Sequence, residues 1–153
     1  MRILFLHGLE STPGGSKVKF LESLGHEVVN PWLPANSFIK SLSIAQTSFD
    51  NNEIDVIVGS SRGGALAMAL DTENTKTILI APAWNKREFL RVPDDVDYNV
   101  TENTIILHSI LDDVVPINDS ERLLRKYGCR LHICGDSHRM SDNDALRVLK
   151  DVL

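Results

Sequence analysis

The stretch Gly59-Ser60-Ser61-Arg62-Gly63 has the pattern Gly-x-Ser-x-Gly, and its surroundings indicate how the chain folds. An apolar run, Ile54–Val58, comes directly before it, and the Ala-rich segment Arg62–Leu70 follows it. The pattern therefore predicts a sharp turn from a strand into a helix, with the Ser61 hydroxyl lifted above the edge of a sheet. Glycine is expected at both ends because a side chain there would collide with the neighbouring strand or helix. Two other interpretations stay open, a glycine-rich turn that only packs tightly and a loop that binds phosphate.

Outside this turn, short apolar runs alternate with helical segments along the whole chain. Several runs are almost continuously apolar, which is typical of parallel strands covered by helices on both faces. The six predicted strands are Arg2–His7, Glu27–Asn30, Ile54–Gly59, Lys76–Ala81, Thr104–Ser109 and Arg130–Gly135. The predicted helices are Ser16–Leu24, Ser37–Asp50, Arg62–Leu70, Asn118–Tyr127 and Ser141–Val152. This alternation predicts a doubly wound α/β domain.

One connection, Pro82–Asn103, shows no clear period and contains two prolines and five acidic residues. A long connection inside a compact domain is often functional. This one would leave the carboxyl end of the fourth strand, where ligands bind in such sheets. We therefore expect it to border the functional site.

Two later loops carry the residues that a nucleophilic serine needs, a base and an acid that orients it. The loop after the fifth strand contains Asp112 and Asp113, and the loop after the sixth strand contains Asp136 and His138. Because parallel strands end at the same edge of a sheet, both loops are expected beside Ser61. Asp112 and Asp113 are both candidates for the acid, since sequence alone does not separate adjacent carboxylates. Asp136 could compete with them.

Composition and charge limit the classes of function. The chain of 153 residues is 24% charged and 42% hydrophobic, which predicts one ordered domain over residues 1–153. Sixteen basic and 21 acidic residues give a net charge of −5 without a basic stripe, so no nucleic-acid partner is expected. The longest apolar runs are about six residues, far below the roughly 20 that a membrane helix needs. The first run is interrupted at His7-Gly8, too early for a signal peptide, so we expect a cytoplasmic protein with no membrane partner.

The remaining cysteines and histidines predict no metal site. Cys129 and Cys134 have only His132 between them, so we interpret them as small apolar residues around a strand. His108 and His132 lie within apolar strands and are expected to be hydrogen-bonded core residues. His7 is expected to shape the loop that follows the first strand. No cofactor is predicted.

Taken together, these segments resemble an α/β-hydrolase, most closely the small bacterial YqiA-like esterases. The resemblance implies a three-layer core of about six parallel strands in the order 2-1-3-4-5-6, with helices on both faces and no full cap domain. The segments that carry it are the oxyanion-loop segment Leu6–Pro13, the nucleophile turn Gly59–Gly64, the strand end Ala81-Pro82-Ala83, the acid loop Asp112–Pro116 and the histidine loop Gly135–His138.

The resemblance also implies roles for individual residues. Ser61 corresponds to the nucleophile, Asp112 to the orienting acid and His138 to the general base. The backbone N–H groups of Leu9 and Arg62 correspond to the oxyanion hole, since they follow the His-Gly pair and the nucleophile. Arg62 departs from many relatives, which have an uncharged residue or histidine there, and it raises the expectation that the substrate carries an anionic group.

These observations predict a serine hydrolase, a carboxylesterase or thioesterase that cleaves small acyl esters through an acyl-enzyme. Trp32 and Trp84 follow strand ends and are candidates to line the acyl pocket; the alternative is that they cover core edges. Two other functions stay open. One is a non-catalytic member of the same fold that binds a ligand or a protein, and the other is a flavodoxin-like phosphate binder that uses Gly59–Gly64. The sequence does not indicate the oligomeric state.

Overall fold

The computed structural model describes all residues from Met1 to Leu153. Strands and helices alternate along the chain in the predicted order. The strands are β1 (Arg2–Leu6), β2 (Glu27–Val29), β3 (Val56–Ser60), β4 (Lys76–Ile80), β5 (Thr104–His108) and β6 (Arg130–Ile133). The helices are α1 (Ser16–Ser23), α2 (Phe38–Asp50), α3 (Arg62–Ala69), α4 (Arg87–Leu90), α5 (Ile117–Tyr127) and α6 (Asn143–Val152).

The six strands form one sheet in the order β2-β1-β3-β4-β5-β6, and every neighbouring pair is parallel. The predicted fold class, a six-stranded parallel core with helices on both faces, is therefore confirmed. All carboxyl ends of the strands meet at one edge, which brings the loops after β1, β3, β4, β5 and β6 together.

Two hydrophobic clusters cover the two faces of the sheet. Side chains alternate along β3, so that Ile57 joins the cluster beneath α2, α3 and α5, whereas Val56 and Val58 join the cluster beneath α1 and α6. Both faces are buried, which explains why the central strands are apolar at successive positions. None of the helices is long and apolar enough to cross a membrane.

Two local features differ from the sequence-based prediction. The segment Pro82–Asn103 is not wholly irregular, because Arg87–Leu90 forms the short helix α4 and buries Leu90 in the core. The last helix begins after Asp142, whose carboxylate accepts a hydrogen bond from the Ala145 N–H, rather than at Ser141. Periodicity overlooks α4 because four residues are too few to show a period. It does not separate Ser141 from Asp142 as the cap because serine and aspartate both cap helices well.

Candidate active site

Ser61 lies at the turn between β3 and α3, and its backbone is strained. Its φ of 55° and ψ of −115° lie outside the regions that residues other than glycine ordinarily adopt. A Cβ on Gly63 would lie 1.9 Å from the Leu6 carbonyl oxygen, and a Cβ on Gly59 would lie 2.4 Å from the Gly63 carbonyl oxygen. The predicted reason for glycine at both positions, collision with the adjacent strand and helix, is confirmed.

Backbone hydrogen bonds to β4 and the residues after it hold this turn in place. The Ser61 N–H donates to the Ile80 carbonyl at 2.9 Å, and the Ala83 N–H donates to the Ser61 carbonyl at 3.0 Å. The tightly packed centre of the sheet therefore fixes the position of the Ser61 side chain. A strained backbone of this kind persists only where the surrounding contacts hold it in that conformation.

Asp112 lies in the loop after β5, and its side chain is completely buried. One carboxylate oxygen accepts hydrogen bonds from the N–H groups of Val114 and Val115, both at 2.8 Å. Burial alone would raise the pKa of Asp112, but the hydrogen bonds from His138 and from these two amides outweigh it and hold the pKa below its usual value. Asp112 is therefore held as a carboxylate, whereas Asp113 is exposed to solvent.

His138 lies between Asp112 and Ser61 and contacts both. Its Nδ1 is 2.7 Å from Asp112 Oδ2, and its Nε2 is 2.9 Å from Ser61 Oγ. A carboxylate only accepts hydrogen bonds, so Nδ1 carries the proton and Nε2 is free to accept from the hydroxyl. The structure thus brings together the three residues that the sequence singled out, although 77 positions separate Ser61 from His138.

The loop that carries His138 is fixed on both sides. Ser109 Oγ donates to the Gly135 carbonyl at 2.9 Å, and the Gly135 N–H donates to a carboxylate oxygen of Asp144 at 3.0 Å. The Asp136 N–H donates to the Asp142 carboxylate, and its own side chain is exposed. Asp136 therefore does not compete with Asp112 for the imidazole.

His108, the last residue of β5, is a member of the site that the sequence did not identify. Its side chain is fully buried, and its Nε2 lies 3.0 Å from Asp112 Oδ2 and 3.0 Å from the Val115 carbonyl oxygen. Both of these partners are acceptors, so Nε2 carries the proton. His108 Nδ1 lies 2.7 Å from Ser120 Oγ, which donates to it when the imidazole is neutral. His108 is a buried hydrogen-bonded residue, as expected, but its partner is the candidate catalytic acid.

The alternation of strand side chains could have revealed His108. His108 lies two residues after Ile106, which faces the cluster beneath α5. The polar residue Ser120 is on α5, and Asp112 follows four positions later in a tight loop. A polar side chain that points beneath a helix from the end of a strand needs a hydrogen-bond partner there. The hydrophobic periodicity does not identify that partner.

His7 orders the loop after β1. Its Nε2 accepts from the Leu33 N–H at 3.1 Å, so its Nδ1 carries the proton and donates to the Gly8 carbonyl at 2.8 Å. This contact holds the Gly8–Leu9 peptide, and the Leu9 N–H has no acceptor within the chain. The Arg62 N–H is at the first position of α3, where an amide has no intrahelical partner. Both residues line the cleft beside Ser61.

The Arg62 side chain does not favour an anionic substrate in the way the sequence suggested. Its guanidinium is buried and donates to the Pro34 carbonyl at 2.9 Å and to Ser41 Oγ at 3.0 Å. The group also lies 5.9 Å from the centre of the Phe38 ring, and burial lowers the pKa of Arg62. The charge is thus directed to the start of α2, which packs against α3.

A cleft of about 590 Å³ opens above Ser61 and His138. Its lining contains the predicted oxyanion residues, several hydroxyl groups, three basic side chains besides Arg62, and eight hydrophobic residues. The lining residues include Gly8, Leu9, Glu10, Ser11, Thr12, Ser16, Lys17, Ser61, Arg62, Lys86, Phe89, Leu90, Val114, His138, Arg139 and Ser141.

Neither tryptophan is among the residues that line this cleft. Trp32 is 62% exposed and follows β2, an edge strand that β1 separates from β3. Trp84 is turned toward α5, where its Nε1 donates to the Asp119 carbonyl at 3.1 Å and its ring lies 5.2 Å from the Arg122 guanidinium. The expected aromatic lining is instead provided by Phe89 on α4.

No protein-family model matches the chain, and no curated protein matches it either. Solved structures do match it over almost its whole length. Est1E from Butyrivibrio proteoclasticus matches with a TM-score of 0.72 at 16% identity, covering 99% of this chain and 84% of that one. The esterase domain of a Rhodothermus marinus protein matches with a TM-score of 0.71 at 16% identity, covering 99% and 83%.

A mammalian protein shows the same likeness. Mouse alpha/beta hydrolase domain-containing protein 10 matches with a TM-score of 0.69 at 17% identity, covering 97% of this chain and 86% of that one. Identities this low establish a shared fold and leave the resemblance to YqiA-like esterases as a prediction. The chain has the fold of the alpha/beta hydrolase superfamily.

Proposed function

We propose that the protein is a serine hydrolase that cleaves small acyl esters, with Ser61 as nucleophile, His138 as general base and Asp112 as the acid that orients it. The observation that carries the proposal is the unbroken chain of hydrogen bonds from Ser61 Oγ through His138 to Asp112, with distances of 2.9 and 2.7 Å. Each of these contacts lies within the range required for proton transfer or orientation.

The reaction follows from this arrangement in two halves. His138 Nε2 takes the Ser61 proton as Oγ attacks the ester carbonyl carbon, and the carbonyl oxygen becomes an oxyanion. The C–O bond to the alcohol then breaks, and His138 gives its proton to the departing alkoxide, which leaves an acyl-Ser61 ester. A water molecule gives a proton to His138 and attacks the acyl carbon. Collapse of this second intermediate releases the carboxylic acid and returns the proton to Ser61.

The amides of Leu9 and Arg62 are the proposed oxyanion donors. Their position beside Ser61, together with the free Leu9 N–H, supports this assignment. Removing one such donor in comparable sites costs about 10²–10³ in rate. The tie between His7 and Gly8 is consistent with a loop that is ordered before substrate binds.

Asp112 supports the reaction by holding the imidazole rather than by taking its proton. Its low pKa keeps it ionised at neutral pH, so it stabilises the imidazolium that forms in each half of the reaction. The His138 side chain is 19% exposed, which gives water a route to it for deacylation.

A non-catalytic binding protein with this fold is the second candidate. Ser61 argues against it, because a surface that only binds has no need of a strained serine whose hydroxyl is hydrogen-bonded to an imidazole. The phosphate-binding alternative is weaker, since it leaves the Asp112–His138 pair without a role.

The test is labelling with a fluorophosphonate probe, together with hydrolysis of 4-nitrophenyl butyrate. The wild-type protein is expected to be labelled at Ser61 and to hydrolyse the ester, whereas Ser61→Ala and His138→Ala are expected to lose both properties. Ser23→Ala and His26→Ala are matched controls away from the cleft and are expected to behave as wild type.

Two results would overturn the proposal. One is the absence of both labelling and hydrolysis in folded wild-type protein, which favours the non-catalytic candidate. The other is labelling and hydrolysis that persist in Ser61→Ala. Circular dichroism and the thermal midpoint of each variant separate a loss of chemistry from a loss of folding.

A further inference from the structure

The cleft is electrostatically unlike the rest of the molecule. The protein carries a net charge of −5, yet the lining contains Lys17, Lys86 and Arg139, besides Arg62 whose guanidinium turns toward α2, against the single carboxylate of Glu10. None of these five side chains takes part in an ion pair within 4.0 Å. The cleft therefore presents basic groups that form no ion pair within the protein.

Lys17 and Arg139 lie together at the histidine loop, on the lining of the cleft. Arg139 directly follows His138, and Lys17 Nζ donates to the Arg139 carbonyl and, at 3.4 Å, to Ser141 Oγ. An ammonium group has three N–H donors, so one remains for a ligand. The guanidinium of Arg139 is exposed and donates no hydrogen bond within the chain, so all of its donors remain.

The environment of Lys17 is costly in the absence of an anion. Burial and the positive charge of Arg139 lower the pKa of Lys17 to about 8. Two like charges in a partly buried place are expected to repel each other, and an anion bound between them removes that repulsion. A carboxylate or phosphate matches both groups, since each offers several acceptor oxygens to Lys and Arg donors.

The basic pair lies on one side of the cleft, and apolar groups lie on the other. Lys17 and Arg139 belong to α1 and to the loop before α6, which cover one face of the sheet. Phe89 and Leu90 belong to α4, and Leu90 joins the cluster on the opposite face. Phe89 is 71% exposed, so its ring is available to a substrate.

We propose that Lys17 and Arg139 bind an anionic oxygen group, a carboxylate or phosphate, on an ester whose other part rests against Phe89. This inference rests on the proposed function and names the substrate class of the same site: small esters with one apolar part and one negatively charged part. The Arg139 backbone already ties Lys17 to the histidine loop, so the anion is held beside Ser61.

The test compares two esters of equal acyl length, mono-4-nitrophenyl glutarate and 4-nitrophenyl valerate, after correction for their uncatalysed rates. One charge-assisted contact predicts a kcat/KM ratio of about ten or more in favour of the glutarate. A second pair, 4-acetoxybenzoate and its methyl ester, places the charge on the alcohol part. A preference within either pair supports the inference and shows which part of the ester carries the anion.

Arg139→Gln is the informative variant, because the Arg139 side chain is exposed and donates no hydrogen bond within the chain, so we expect the variant to fold as the wild type does. We expect it to lose most of the preference for the charged ester, measured as the ratio of kcat/KM for the glutarate to kcat/KM for the valerate. Arg130→Gln, an exposed arginine on β6 outside the cleft, is the control. Lys17→Gln is expected to act in the same direction, with the exposed Lys19→Gln as its control.

Binding of glutarate and of phenyl phosphate, measured by calorimetry, separates this inference from the proposed function and distinguishes the two anions. If both esters are hydrolysed equally and Arg139→Gln changes nothing, the anion site is wrong and the hydrolase stands. If no ester is hydrolysed, binding decides: either anion bound by wild type and lost in Arg139→Gln retains the anion site, and the absence of binding overturns it.

Discussion

Asp112 lies between two imidazoles. Both contact its carboxylate, but they differ in their exposure to solvent and in their other hydrogen-bond partners. His138 is partly exposed and joins Asp112 to Ser61, whereas His108 is fully buried and joins it to Ser120. Both rings donate to the same carboxylate oxygen, at 2.7 and 3.0 Å. The two histidines thus have different roles around one carboxylate, and the surroundings of each ring decide its role.

The difference lies in what the far nitrogen of each ring can reach. On the exposed side, Nε2 of His138 faces the Ser61 hydroxyl at the edge of a cleft, where a proton can be exchanged with a bound molecule or with water. On the buried side, Nδ1 of His108 faces Ser120, which is itself buried in α5 and does not line the cleft. We therefore expect His138 to exchange protons during the reaction, and His108 to act only by positioning Asp112.

The largest expected effect comes from breaking both sides at once, with Asp112→Asn. An amide nitrogen at Oδ2 would face the N–H groups of both imidazoles, so His138 would change tautomer and Nε2 would no longer accept the Ser61 proton. By analogy with triads of this type, kcat is expected to fall by about 10⁴. Asp113→Asn, at the exposed neighbouring carboxylate, is the control and should retain activity. A loss confined to Asp113→Asn would assign the acid to that residue.

The next effect separates the two sides, with His108→Leu. This variant removes one donor from a buried carboxylate while His138 and Ser61 stay in place, so kcat is expected to fall by roughly tenfold to a hundredfold. KM should change little, because His108 does not line the cleft. His108→Gln, which can place an amide N–H near Asp112, is expected to recover part of kcat. If both variants lose stability and kcat equally, His108 has only a packing role.

A smaller effect is expected one step further from Ser61, with Ser120→Ala. The variant leaves Nδ1 of His108 without a partner in a buried place, which costs roughly 1–3 kcal/mol of stability. The thermal midpoint should fall, while kcat should fall less than in His108→Leu. Ser48→Ala, which removes a hydroxyl bonded within its own helix, is the comparison. An unchanged midpoint would show that water replaces the hydroxyl.

The smallest effect tests substrate binding apart from the proton relay. Lys17 is positively charged below its pKa of about 8 and loses its charge as pH rises through that value. The preference for mono-4-nitrophenyl glutarate over the valerate ester should therefore decline a few-fold between about pH 7 and pH 9.5. In Lys17→Arg the preference should stay constant with pH. A preference that declines equally in both proteins would assign the titration to another group.

The sequence predicted the sheet and three of the residues at the site for a physical reason. Ser61, Asp112 and His138 each lie just beyond a predicted strand, and parallel strands bring their carboxyl ends together. The contact of His108 with Asp112 was not predicted because His108 lies inside a strand. An apolar pattern there indicates that a residue is buried but does not identify its hydrogen-bond partner. The direction of the Arg62 guanidinium and the position of Trp84 depend on packing between α2, α3 and α5, which no local pattern contains.

The contact between Gly63 and the Leu6 carbonyl has a consequence for how this site could be altered. With no room for a single methyl group between them, the serine turn and the end of β1 move as one block. The peptide of Leu9 starts three residues later and is anchored by the His7 ring. If Ser61 is the nucleophile as proposed, an exchange of its attacking atom, as in Ser61→Cys, is expected to leave the proposed oxyanion donors in place, so a thiol variant would keep the same geometry.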